Sequence, residues 1–379
     1  MKLLHLADLH LGRRVNEFDL LEDQRAILEQ ILALCGEKQV DTVLIAGDVY
    51  DKSVPSAEAV ALLDWFLSAL VAGGRRVFVI AGNHDSAARL DFGSSLLSAK
   101  GLYITGGFRG APAHTVLEDE YGPVHIWSLP FVRAASVAHW LPDADTSSYD
   151  AAAAAALGAA APDFAERNLL LAHQFVTSGG TAPEASGSES FLSVGAVDNI
   201  DVSRFDGYDY VALGHIHGAQ RVGRDTVRYA GSPLKYSLSE CRQQKSVPLV
   251  TLGPKGSVGI ELLPLVPRRD MRHLTGPLAA LLDRSRVQDA DDYLWVTLTD
   301  EGPVLDAMRR VKAVYPNTMK LDFAARTLPD APRRAAAVQS RTFEELFADF
   351  YRTAAGAEPT AQEWALLRGA REEAQEGLQ

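Results

Sequence analysis

Residues 77–81, Val-Phe-Val-Ile-Ala, form an apolar run that stops at Gly82 and is followed at once by Asn83, His84 and Asp85. A strand this apolar is buried on both faces, as the strands of parallel sheets are. A buried strand that halts on a glycine and then sets out polar side chains places them at the carboxyl edge of its sheet. That edge is where open α/β sheets hold their ligands. Alone, Gly-Asn is also a common turn pair, and Asp85 reads as a cap for the helix that follows. The stretch gains weight because the chain repeats the device.

Residues 3–7 read as a strand followed by Asp8 and His10, an i, i+2 pair that points one way in extended geometry. Residues 41–46 are a second apolar strand, followed by Gly47, Asp48 and, three positions on, Asp51. A later strand, 168–172, runs into His173, and 208–213 runs into Gly214, His215 and His217. Helical patterns over 19–35, 55–71 (capped by Ser53 or Ser56) and 86–100 separate the first strands, which implies right-handed parallel crossovers. Beyond residue 102 come short strands at 114–117 and 124–129, then an alanine-rich surface helix over 150–162 and a Gly/Ser-rich loop at 178–190. Strands at 227–230, 248–252 and 259–263 are expected to finish a second sheet, antiparallel. A separate strand–helix–strand unit follows (293–299, 304–315, 318–323), then a Pro/Arg linker at 328–334 and two amphipathic helices, 342–354 and 360–374. In the first of these Phe343, Leu346, Phe347 and Phe350 share a face, which either packs on the preceding unit or docks onto a partner.

A lone strand-end aspartate is more often a turn former or helix cap than a ligand, and Asp48 or Asp51 alone would be read so. His5, His114, His125, His139 and His273 fall in no such context and read as structural or surface residues. Coincidence changes the weighting, because carboxylate, amide or imidazole groups follow every one of these buried strands. Asp8, His10, Asp48, Asn83, His173, His215 and His217 are too many ligands for one ion. They suit two ions of the manganese type that share a carboxylate. Such a pair holds a phosphate and activates a water, which is the chemistry of a phosphoester hydrolase.

Asp8-Leu9-His10, Gly47-Asp48-Val49-Tyr50-Asp51, Gly82-Asn83-His84-Asp85, His173 and Gly214-His215-Ile216-His217 resemble, in order, the five signature motifs of calcineurin-like metallophosphoesterases. Residues 4–12 and 211–217, together with Arg228-Tyr229-Ala230-Gly231-Ser232-Pro233, are most similar to the SbcD-type nuclease family within that group. The resemblance implies a four-layer α/β/β/α sandwich over 1–265, a small α+β capping domain over 266–330 and a C-terminal helical partner-binding segment over 335–379. It implies one metal on Asp8, His10, Asp48 and His217, and a second on Asp48, Asn83, His173 and His215. His84 would be the catalytic histidine, with Asp51 orienting its ring. The implied activity is a double-strand exonuclease and single-strand or hairpin endonuclease in DNA repair and recombination. It would work with an SMC-like ATPase, SbcC, as a homodimer within a heterotetramer. Sibling readings are a phosphatase or small phosphodiesterase and, remotely, a non-catalytic scaffold.

Charge and composition bound the partners. A net charge of −12 argues against a chain that grips DNA by its own basic surface. Arg13, Arg14 and Arg89 are either phosphate contacts at the rim of the site or solvated side chains. Phe343, Phe347 and Trp364 are the candidate contacts for the ATPase. The leucines of the helices after the second and third strands (Leu62, Leu63, Leu67, Leu96, Leu97) serve either a dimer face or the core. Two cysteines in no Cys-x-x-Cys pattern, no run of 18 apolar residues and an N-terminus that enters a strand directly imply a cytoplasmic protein with no membrane span.

Overall fold

The computed structural model describes residues 1–189, 199–283, 285, 287–300, 304–324, 347–349, 351–352, 359–364 and 366. The chain divides into two compact units, Met1–Ala324 and Ala325–Gln379.

In the first unit β1 (Lys2–Leu6), β2 (Thr42–Ala46), β3 (Arg76–Ile80) and β4 (Leu102–Thr105) lie side by side and parallel. Their side chains alternate between two cores. Leu4, Leu6, Val43, Ile45, Val77 and Val79 join the core formed with α1 (Leu21–Glu37) and α2 (Ala57–Ala72). Leu3, Leu44, Ala46, Phe78 and Ile80 turn the other way and meet a second sheet. Burial on both sides is why these strands read as unbroken apolar runs. Ser56 caps α2, its hydroxyl accepting the Ala59 N–H.

The second sheet contains β5 (Ala113–Asp119), β6 (Gly122–Leu129), β7 (Arg167–His173), β8 (Tyr210–Gly214), β9 (Gln220–Val222) and β10 (Arg224–Tyr229), in the order β9-β10-β8-β7-β6-β5. Ile126, Leu169, Leu171, Tyr210 and Ala212 face the first sheet. Trp127, Leu170, Val211 and Leu213 pack with α3 (Tyr149–Gly158), the alanine-rich helix. That helix is less of a surface element than its composition suggests. Tyr149, Ala152, Ala153, Ala156 and Leu157 are all buried, the small side chains allowing close approach to the sheet. Helix, sheet, sheet and helix give the four expected layers.

Two expectations change. The strands at the end of the sandwich, β11 (Ser246–Leu252) and β12 (Val258–Pro264), extend the first sheet, with β11 antiparallel to β1. Val247 and Leu249 join the helix-side core while Val250 and Leu252 join the core between the sheets, so β11 needs the doubly covered place beside β1. Of the three expected strands only β10 joins the second sheet, parallel to β8 and antiparallel to β9. The helix expected over 86–100 is broken into Ala87–Leu90, Ser94–Leu97 and a 3₁₀ turn, Ser98–Lys100. Gly93 adopts a left-handed φ of 73° at the break, leaving Phe92 and Leu96 86% and 79% exposed. Leu62, Leu63 and Leu67, by contrast, are core.

A three-stranded parallel sheet, β13 (Met271–Gly276), β14 (Tyr293–Leu298) and β15 (Thr318–Phe323), closes the first unit around its own core of Leu278, Leu294, Val296, Val311 and Tyr315. Its first strand carries Arg272, His273 and Gly276, and nothing in that pattern announces a strand. Asp23, buried in the first turn of α1, ties this sheet to the sandwich. It accepts the Tyr293 hydroxyl at 2.8 Å and Arg269 Nε at 3.1 Å. Among the described residues no helix is long and apolar enough to cross a membrane.

In the second unit Phe347 and Trp364 meet edge to face with ring centroids 5.5 Å apart. The Tyr351 hydroxyl donates to Glu363, and Thr360 and Glu363 exchange capping-box hydrogen bonds. Part of the apolar stripe is thus spent within the tail. Phe343, Leu346, Phe350 and the linker 328–334 lie outside the described residues.

Candidate metal centre

The sheets meet so that the carboxyl ends of β1, β2, β3, β7 and β8 converge. The backbone there is strained. Asp8, His10, Asp48 and His215 have φ of 53°, 43°, 47° and 107°, a region that costs non-glycine residues energy and persists only where surroundings over-determine it. Hydrogen bonds from Asp8 N to Gly47 O (3.0 Å), His10 N to Asp48 O (2.9 Å) and Leu11 N to Val49 O (2.9 Å) do so here. The i, i+2 alternation expected of Asp8 and His10 therefore does not apply. These residues are not extended, and the two side chains converge because the loops are laced together. Glycine at Gly214 answers crowding, since a Cβ there would lie 1.9 Å from the Ala46 carbonyl oxygen.

Asp85 is no helix cap. Its carboxylate accepts the backbone N–H groups of Gly82 (2.9 Å), Val49 (3.0 Å) and Tyr50 (2.9 Å), stapling the loop after β3 to the loop after β2. Each N–H left buried and unpaired would cost about 1–3 kcal/mol. Burial and the neighbouring Asp48 carboxylate push the Asp85 carboxyl up to about 6.

All seven candidate ligands come together. His10 Nε2 lies 3.1 Å from His217 Nε2 and 3.6 Å from Asp48 Oδ2, with an Asp8 oxygen in the same cluster. On the other side of Asp48, Oδ2 is 3.4 Å from His173 Nε2, and Asn83 Oδ1 is 3.0 Å from both His173 Nε2 and His215 Nδ1. Asp48 belongs to both groups. Imidazole, carboxylate and carboxamide donors without thiolate form a set suited to divalent ions of the manganese class. The facing Nε2 atoms of His10 and His217, 3.1 Å apart, can turn their lone pairs to one cation. His173 Nδ1 donates to the Ala46 carbonyl at 2.8 Å, which leaves the Nε2 lone pair for the cluster.

The electrostatics fit the same reading. Burial raises Asp8 to about 7, lowers His215 to about 3 and holds His10 well below its ordinary value. Burial would also raise Asp48, but the imidazoles of His173, His10 and His84 outweigh it and keep this carboxylate ionised. Burial would lower His173, but Asp48 and Asp8 outweigh it and lift the imidazole to about 9. Without a cation, the His173 proton is the counter-charge of Asp48.

His84 donates its backbone N–H to Asp48 Oδ1 at 2.9 Å and brings its Nε2 within 4.0 Å of Asp48 Oδ2. Asp51 meets the His84 ring through its backbone: His84 Nδ1 bonds the Asp51 carbonyl at 2.9 Å. The Asp51 carboxylate is taken by Arg13 at 2.7 Å and stands 3.7 Å from His10 Nδ1. Arg13 is thereby committed to the site's own framework. Arg14, exposed, holds the Glu17 carbonyl at 2.8 Å, and Arg89 is exposed on the short helix after β3.

Sequence reasoning missed the supports. The Gln24 side chain donates to the His10 carbonyl (2.7 Å) and accepts from Gly12 N (2.9 Å), while the Tyr236 hydroxyl donates to the Leu9 carbonyl, fixing the loop after β1. Ser188, Glu189, Glu240 and Lys245 surround His217. None sits in a motif, and an ordinary helix turn or Gly/Ser loop carries no signal for such a role.

Residues 1–219 match the model of the calcineurin-like phosphoesterase family, and residues 267–354 match that of the type 5 capsule protein repressor C-terminal domain. The chain is 32% identical over 330 residues to SbcD of the nuclease SbcCD from Staphylococcus epidermidis, covering 85% of each protein. Among solved structures, a dimetal phosphatase from Danio rerio aligns with a TM-score of 0.40 and 12% identity, over 70% of this chain and 96% of that one.

Metal uptake here must displace protons, because His173 holds one up to about pH 9 and Asp8 up to about pH 7. Raising the pH through those values removes the competitor. The apparent Mn²⁺ affinity is therefore expected to climb between about pH 6 and pH 9, with proton release visible in calorimetry when the buffer is changed. An affinity flat across that range would contradict these charge states.

Proposed function

Because the chain belongs to the calcineurin-like phosphoesterase family, on its SbcD nuclease branch, we propose that it hydrolyses DNA phosphodiesters with two divalent ions, most naturally Mn²⁺, in a complex with an SMC-type ATPase of the SbcC kind. The observation that carries the reading is the single Asp48 carboxylate standing between two groups of donors. Asp8, His10 and His217 would hold one ion with Asp48, and Asn83, His173 and His215 the other. When bound, such ions neutralise the phosphate and make a water nucleophilic at neutral pH.

The chain's own residues do the rest. Asp48 spaces the two groups, and its second oxygen fixes the backbone of His84. In its doubly protonated form His84 donates Nδ1–H to the Asp51 carbonyl and gives the proton on Nε2, which stands 4.0 Å from Asp48 Oδ2, to the departing oxygen. Arg13 holds the Asp51 carboxylate and so steadies the segment whose carbonyl does the orienting. Double-strand ends and hairpins are the substrates in this reading, and DNA repair and recombination in the cytoplasm are the setting. Arg14 and Arg89 would meet backbone phosphate. With a net charge of −12 most of the DNA affinity must come from the partner.

Residues 1–265 would act as the nuclease, 266–330 as its cap and 335–379, with Phe343, Phe347 and Trp364, as the seat for the ATPase. Phe92 and Leu96, large apolar side chains left in solvent, are the natural centre of a homodimer face.

With Mn²⁺ present, His84→Ala is expected to lower turnover on DNA roughly 10²–10⁴-fold while both ions still bind. Parent-like nicking and hairpin opening would remove His84 from the chemistry, and faster turnover of para-nitrophenyl phosphate than of DNA would favour a phosphatase. Native mass measurement on the complex with the ATPase should give two copies of each chain. It should fall to one of each in Phe92→Asp/Leu96→Asp, and to nuclease alone when the chain ends at Arg334. An unchanged mass contradicts the assignment of the altered surface.

A further inference from the structure

The loop preceding residue 190 has the composition of a flexible linker, yet it delivers two side chains to the back of one metal-facing imidazole. Ser188, 7% exposed, has its Oγ 2.7 Å from His217 Nδ1 and 2.5 Å from Glu240 Oε1. Glu240 is fully buried, and its other oxygen receives Lys245 Nζ at 2.6 Å. Lys245 also donates to the His217 carbonyl at 2.9 Å, while Glu189 Oε1 accepts the His217 backbone N–H at 2.9 Å. His217 is held at its ring and its N–H by this loop and at its carbonyl by Lys245.

We propose that Ser188 and Glu240 form a relay that positions His217 for its metal ion, so that docking of this loop completes one of the two ion sites. The inference rests on the two-ion reading above. A hydroxyl has a single proton, and the ionised Glu240 beside it, balanced by Lys245, has none to give. Ser188 therefore donates to Glu240 and accepts from His217 Nδ1–H. That leaves the lone pair on Nε2, the nitrogen that sits 3.1 Å from His10 Nε2 in the donor cluster with Asp8. Without the hydroxyl, Nδ1 faces only the more distant Glu240 Oε1, 3.5 Å away, and the tautomer and ring angle of His217 are less tightly set from this side. Outer partners of this kind change metal affinity about 10–100-fold.

The two sites differ in what backs them. His173, on the far side of Asp48, has its Nδ1 tied to the Ala46 carbonyl at the end of β2. That support is built into the sheet and does not depend on the loop. Ser188 and Glu240 are positioning residues. They touch neither phosphate nor ion, and their loss should fall on one ion alone.

The test is calorimetric titration of the full chain with MnCl₂, comparing the parent with Ser188→Ala and Ser188→Thr, alongside melting of the metal-free proteins. The relay predicts that Ser188→Ala weakens one Mn²⁺ site about 10–100-fold, leaves the other within about twofold and melts like the parent. Ser188→Thr, which keeps a hydroxyl at the same place, should restore the weakened site. Two undisturbed sites in Ser188→Ala overturn the relay. Equal weakening of both sites, or no recovery in Ser188→Thr, also overturns it, because the effect would then be a general loosening. If the parent binds fewer than two ions, the two-ion reading itself falls, an outcome distinct from the others.

Discussion

Asp48 is almost wholly removed from water, and a carboxylate in that position is tenable only beside positive charge. The nearest groups are imidazoles: His173 Nε2 at 3.4 Å, His10 Nε2 at 3.6 Å and His84 Nε2 at 4.0 Å. They come from the ends of three strands in two sheets. The packing of sheet on sheet is thus also what places imidazoles on both sides of Asp48. His173 Nδ1 reaching across to the Ala46 carbonyl joins the two sheets directly at the site. A small error in sheet registration would separate these groups and leave the carboxylate buried without a counter-charge.

This demand explains why the surrounding backbone is so heavily braced. Four of the candidate ligands hold left-handed φ values, and each loop is fixed by its neighbours. Asp85 staples the loops after β2 and β3, while Gln24 and Tyr236 hold the loop after β1. Gln24 follows Asp23, the residue that receives Tyr293 from the three-stranded sheet and Arg269 from the segment just before it. The first turn of α1 therefore bears at once on that sheet and on the loop that carries Asp8 and His10.

What the sequence made legible was the part that repeats. Apolar strands, three of them ending in glycine, followed by Asp, Asn or His, marked Asp8, His10, Asp48, Asn83, His84, His173, His215 and His217, and all converge. Alternating strands and helices likewise indicated the parallel part of the first sheet. Long-range pairing was harder to see. The strands β11 and β12 carry no mark of which sheet edge they will fill, so their place beside β1 was missed. Asp85 and Asp51, read as single residues, both looked like helix caps. Their actual partners, three N–H groups and Arg13, are local details that a one-dimensional pattern does not encode. Ser188 and Glu240 are 52 residues apart and share no motif, so only the fold brings them together at His217.

The central claim is that one carboxylate organises two ions. Crystals grown with Mn²⁺ and measured at its absorption edge test it most directly. Two anomalous peaks are expected on either side of Asp48, one bounded by Asp8, His10 and His217 and the other by Asn83, His173 and His215, with both lost in Asp48→Ala. A single peak, or two peaks that survive in Asp48→Ala, would contradict it.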